Sequence, residues 1–124
     1  MKKNTGAFLR RNIMAVMRYK IDTYSVKIFG NDSKGSRTRW GDRCIYMYSE
    51  GKEIAQAVFA KPGNEVPEPY YSEGKIFYFA YGDQFSDVLD LLRNESPVYI
   101  AWQPVHDPKE PEDGDAFFFA ETKK

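Results

Sequence analysis

Apolar and polar positions along this chain change period several times, and each change marks an element. "YKIDTYSVKIF", residues 19–29, puts Tyr24, Val26 and Ile28 on one face, a period of two that predicts a strand. "CIYMYS" and "KEIAQAVFA" flank Glu50 and Gly51, and two alternating runs about a glycine-containing turn predict a β-hairpin. In the second run Ile54, Gln56, Val58 and Ala60 share one face, and Ala55, Ala57 and Phe59 the other. "KIFYFAYG", from Lys75, is apolar on both faces, so it needs cover on both sides or a place in a barrel wall. Phe85, Val88, Leu89 and Leu92 then fall at i, i+3, i+4 and i+7, the stripe of an amphipathic helix over 84–94. Asp83 or Ser86 can cap its start, and Asn94 to Pro97 ends it, because the residue before a proline avoids the helical region. "VYIAWQ" and "AFFFAE" add two further strands.

This order contains no βαβα alternation, so a doubly wound parallel sheet is not expected. The pattern predicts an α+β fold: a mostly antiparallel curved sheet or small β-barrel of five to seven strands, with one packed α-helix. A chain of 124 residues makes one domain. We place that domain at 19–121, after a flexible basic N-terminal extension, 1–18. Phe8, Leu9, Ile13 and Met14 in the extension fall loosely at helical spacing, but about three isolated turns are marginal in water. The apolar run after Arg10 and Arg11 is too short for an export signal, and no window offers the roughly 18 apolar residues of a spanning helix. With the single cysteine, Cys44, this predicts a cytoplasmic protein without a membrane role.

Three loops separate the elements. "GNDSKGSRTRWGDR", 30–43, is rich in turn formers and carries four basic residues. "KPGNEVPEPYYSEG", 61–74, is long and proline-rich, and loops of that length tend to bind something. "PVHDPKEPEDGD", 104–115, is acidic. Formal charge sums to zero, yet residues 1–52 hold 12 Lys/Arg against 4 Asp/Glu, leaving 6 against 14 for the rest. Such asymmetry points either to an oppositely charged partner or to attraction between the two halves of one fold.

Candidate chemistry is sparse. His106 and Cys44 sit in no nucleophile signature, and one Cys with one His cannot supply the four N/S ligands of a structural zinc. The acidic loop (Asp107, Glu110, Glu112, Asp113, Asp115) does not have EF-hand spacing. No catalytic residue, metal site or cofactor is therefore expected. Lys34, Arg37, Arg39 and Arg43 surround Trp40, and cations beside an aromatic face suit a phosphate backbone with a stacked base. The neutral overall charge argues against that reading, since nucleic-acid-binding domains carry a basic excess. Tyr70 and Tyr71 form a candidate partner-binding pair, aromatic side chains being enriched at binding hot spots.

From "EGKEIAQAVFAKPG" through "PVYIAW", with "VLDLLRNESPVY" the distinctive segment, the chain resembles a family of small bacterial proteins of unknown function. These run hairpin, proline-rich loop, aromatic strand, helix, strand. Their ends are Gly/Glu-rich, whereas this chain ends "AETKK". The resemblance implies a bacterial stand-alone domain and carries over no site residues. The expected function is a non-enzymatic binding module with a protein partner or a second copy in a homodimer. The alternatives are single-stranded nucleic-acid binding through the Trp40 loop and a small ligand-binding barrel.

Overall fold

The computed structural model describes residues 16–29, 41–104 and 114–121. Eight strands and one helix are found among them: β1 (Met17–Lys20), β2 (Thr23–Ile28), β3 (Gly41–Ser49), β4 (Lys52–Ala60), β5 (Tyr70–Ser72), β6 (Lys75–Tyr81), α1 (Phe85–Asn94), β7 (Val98–Pro104) and β8 (Gly114–Ala120). They form two sheets, ordered β1-β7-β8 and β2-β3-β4-β6-β5. The fold is α+β with one helix, as the periodicity implies. The sheets do not close into a barrel, and the space between them is filled: Ile45, Met47, Phe59, Ile76, Ile100 and Trp102 are fully buried.

The run 19–29 is two strands in different sheets, not one. The chain crosses at Ile21 and Asp22, whose amides donate to the carbonyls of Val98 and Tyr48 at 2.9 and 2.8 Å. The Asp22 carboxylate also accepts from the Glu50 amide at 2.6 Å, tying the corner to the β3–β4 turn. Strand β1 pairs Met17 with Trp102 and Arg18 with Ala101, two residues that the sequence reading places in the flexible basic extension.

The β3–β4 hairpin turns on Glu50 and Gly51, both at positive φ (52° and 80°), which is the type I′ geometry that matches strand twist. A β-bulge lies between Met47 and Tyr48, opposite Glu53 to Ala55. The extra residue there brings Ile54 into the core beside Ala55, reversing the face that strict alternation assigns to it. The proline-rich segment 61–74 contains a short strand, β5, joined to β6 by a second tight turn at Glu73 and Gly74 (φ 52° and 79°). One pairing breaks the antiparallel expectation: β4 and β6 run parallel, in register from Ala55–Ile76 to Ala60–Tyr81.

The helix begins at Phe85 after a single 3-10 turn, Gly82–Gln84. Gln84 stands at the N-cap without a side-chain bond, so neither Asp83 nor Ser86 caps it. Phe85 and Val88 are buried, and Leu89 and Leu92 pack on the same cluster, the stripe read from the sequence. Arg93 and Asp90 pair at 2.7 Å on the solvent face. No helix among the described residues is long and apolar enough to cross a membrane.

Candidate functional site

Two surfaces stand out, and both follow from how β6 is placed. Its inner residues Ile76, Tyr78 and Ala80 pair with Ala55, Ala57 and Phe59 of β4 against the core. Phe77, Phe79 and Tyr81 therefore point outward, beside Gln56, Val58 and Ala60. Tyr70 of β5 joins them, its ring stacked on Phe77 at 4.6 Å and on Phe79 at 6.0 Å. Tyr70 is 42% and Tyr81 60% exposed. Among the described residues, the two-sided apolar strand is packed into the core on one side, while on the other Phe77 and Phe79 are half-buried and Tyr81 is exposed. Tyr46 lies on the same outer face, with the Lys27 ammonium 5.1 Å from its ring centre.

Tyr71, the other half of the expected partner-binding pair, faces inward. Its ring stacks on Trp102 at 6.1 Å and its hydroxyl lies 3.3 Å from that of Tyr19. The structure separates the two tyrosines rather than joining them. That hydrogen bond, with burial adding to it, pushes the Tyr19 hydroxyl up to about 12. The Trp102 indole N–H is buried nearby without an acceptor among the described residues, a cost of about 1–3 kcal/mol that the aromatic packing must offset.

The second surface is a cleft at the carboxyl ends of the parallel strands. It is an open groove of about 620 Å³ between the 61–64 segment and the start of α1, lined by Arg43, Lys61, Tyr81, Gly82, Asp83 and Ser86 among others. Arg43 reaches it because β3 runs antiparallel to β4, which sets the start of one strand against the end of the other. Its guanidinium lies over the Phe85 ring, 4.9 Å from the centre, and its Nε donates to Asp42 at 3.3 Å. A Cβ on Gly82 would stand 2.6 Å from Arg43 Nη2 and 2.9 Å from the Ala60 carbonyl oxygen. Only glycine admits the arginine so close to the end of β6.

Of the five residues proposed from the sequence for nucleic-acid contact, Arg43 is packed at this cleft. Lys34, Arg37, Arg39 and Trp40 lie outside the described residues, as do His106 and the acidic loop up to Asp113. Cys44 is buried on the outer side of β3, opposite Val58, and burial pushes its thiol pKa up. Sequence reasoning missed the cleft because Lys61, Asp83 and Ser86 come from segments distant from Arg43, and their convergence depends on the β4–β6 pairing. No family model, no curated protein and no solved structure matches this chain.

Proposed function

We propose that this protein is a non-enzymatic interaction module whose partner is a second copy of itself, docked through the outer face of the five-stranded sheet. The observation that carries this reading is the outward aromatic ladder of Tyr70, Phe77, Phe79 and Tyr81, exposed at Tyr70 and Tyr81, half-buried at the two phenylalanines, and covered by no other element among the described residues. Contiguous exposed apolar surface on a folded domain marks an interaction site. Charge favours a like partner over a polyion. Glu53 is paired with Lys75 at 3.5 Å, so that carboxylate brings no unpaired charge to the contact. Five strands about 4.8 Å apart and a seven-residue β6 make a patch of about 20 Å by 20 Å. That footprint, about 400 Å² a side, is below the range of stable interfaces and suits a weak, reversible dimer. Light scattering over a concentration series tests it: the mass should rise towards that of a dimer, and a constant monomer mass rejects it.

A second reading has single-stranded nucleic acid stacking on the same rings, with Lys27 beside Tyr46 supplying charge. Retention on single-stranded DNA at low salt, falling steeply as salt rises, would replace the first reading with this one. A cytoplasmic location belongs to the proposal, on the strength of the lone buried thiol of Cys44. So does the bacterial origin implied by the "VLDLLRNESPVY" resemblance.

A further inference from the structure

The cleft at the ends of β4 and β6 adjoins the aromatic face at Tyr81 but has a polar chemistry of its own. The last residues of the one parallel pair described, Ala60 of β4 and Tyr81 of β6, stand side by side, and the connections that follow them diverge. Here β4 leads into the 61–64 segment and β6 into the turn before α1, and the cleft lies between them. Two cationic side chains from separate elements line it, Arg43 and Lys61. Arg43 is held in place rather than free to sweep the surface. Its guanidinium rests on Phe85, and its Nε is turned to Asp42. The Gly82 contact shows that the terminal Nη2 end is the part directed at the β6–α1 turn. A guanidinium fork fixed on an aromatic ring is suited to a planar pair of oxygens, as on a carboxylate or phosphate. Among the described residues, Asp83 is the one carboxylate lining the cleft, against the two cations.

We propose that this cleft binds the phosphate group of a small phosphorylated ligand, with Arg43 and Lys61 as its charge partners. Phosphate takes precedence over carboxylate because its three oxygens and greater charge can use both cations together. Asp83 then accepts from a hydroxyl on the rest of the ligand, and the exposed Tyr81 ring forms an apolar wall beside it. The volume, about 620 Å³, falls within the range of small-molecule sites. The shared chemistry is the phosphate, whether free or carried on a monoester.

Amide NMR spectra of the full chain test this by titration with inorganic phosphate and, separately, adenosine monophosphate, each against sodium chloride at equal ionic strength. The expected result is saturable shifts at 61–64 and 82–86 that sodium chloride does not reproduce. Lys61→Gln should weaken binding about tenfold, as loss of one charge-assisted hydrogen bond implies. Arg43→Gln should weaken it at least as much. Because Arg43 also packs on Phe85, Lys61→Gln is the deciding variant, its fold checked by unchanged Ile45 and Phe59 resonances. Tighter binding of the monoester identifies that source, and equal binding identifies free phosphate. Shifts that grow linearly with either ligand, or a Lys61→Gln variant that binds as tightly as the native chain, overturn the proposal.

Discussion

Tyr70 and Tyr71 are adjacent in the chain and serve opposite sides of one sheet. Tyr70 stacks on Phe77 at 4.6 Å outside, while the Tyr71 hydroxyl sits 3.3 Å from that of Tyr19 within the gap between the sheets. Their separation follows from strand alternation, which turns successive side chains to opposite faces. It divides a pair that looks like one docking element into a surface residue and a core residue. Tyr70→Ser should leave the melting temperature nearly unchanged, whereas Tyr71→Ser should lower it clearly; thermal denaturation followed by circular dichroism distinguishes them.

The Tyr19–Tyr71 pair also sets an alkaline limit. The Tyr19 hydroxyl is raised from 10.0 to about 12 in the folded chain, first by its hydrogen bond to Tyr71 and then by burial. The folded state therefore holds that proton more tightly than the unfolded state. The stabilisation is complete below pH 10 and is lost as pH rises through the interval to about 12. Tyr71→Phe should show a smaller fall in melting temperature over that interval than the native chain. Equal falls would show that the hydroxyl pair does not carry the effect.

The helix is anchored chiefly by Phe85, which meets Phe59 edge-on at 5.3 Å and lies beneath Arg43. Phe85→Ala should cost about 3–5 kcal/mol, and Leu89→Ala, at a half-buried position, about 2 kcal/mol. Urea denaturation measures both. A loss below about 1 kcal/mol for Phe85→Ala would mean that the helix is not fastened there.

Two glycines should respond differently to alanine. Gly51 has open space around a Cβ, so Gly51→Ala meets only the strain of its positive φ, about 1 kcal/mol. At Gly82 the added atom would strike Arg43 Nη2 and the backbone of Ala60. Gly82→Ala should therefore cost more than Gly51→Ala and shift the Arg43 side-chain resonances, which Gly51→Ala should leave in place.

Burial raises the Cys44 thiol above its usual pKa, outweighing the opposing influence of its bond to Tyr46 and the charge of Lys27. A thiol held protonated and covered reacts slowly. Ellman's reagent at pH 8 should label the native chain far more slowly than the chain in denaturant.

The helix and the β3–β4 hairpin were legible in the sequence because both are local. The stripe from Phe85 to Leu92 follows from helical spacing, and the Glu50–Gly51 turn from residue chemistry. The crossing at Ile21–Asp22 was not legible, since alternation continues smoothly across a corner whose cause, bonds to Val98, Tyr48 and Glu50, lies far along the chain. Strand β5 is only three residues long and sits among prolines, so its pairing with β6 determines it rather than its own pattern. The two-sided apolar character of β6 was visible, but not which side faces the core. The cleft was hidden for the same reason: Arg43 was singled out for its basic neighbours in sequence, whereas its companions there are Lys61, Gly82 and Phe85.

The central claim is that the aromatic face of the larger sheet is an interface between copies of this chain. Sedimentation velocity over micromolar to millimolar concentrations, on the native chain and on a variant combining Tyr70→Ser with Tyr81→Ser, tests it most directly. The account predicts a reversible dimer for the native chain, and a monomer of unchanged melting temperature for the variant. A native chain that stays monomeric throughout, or a variant that dimerises equally well, would contradict it.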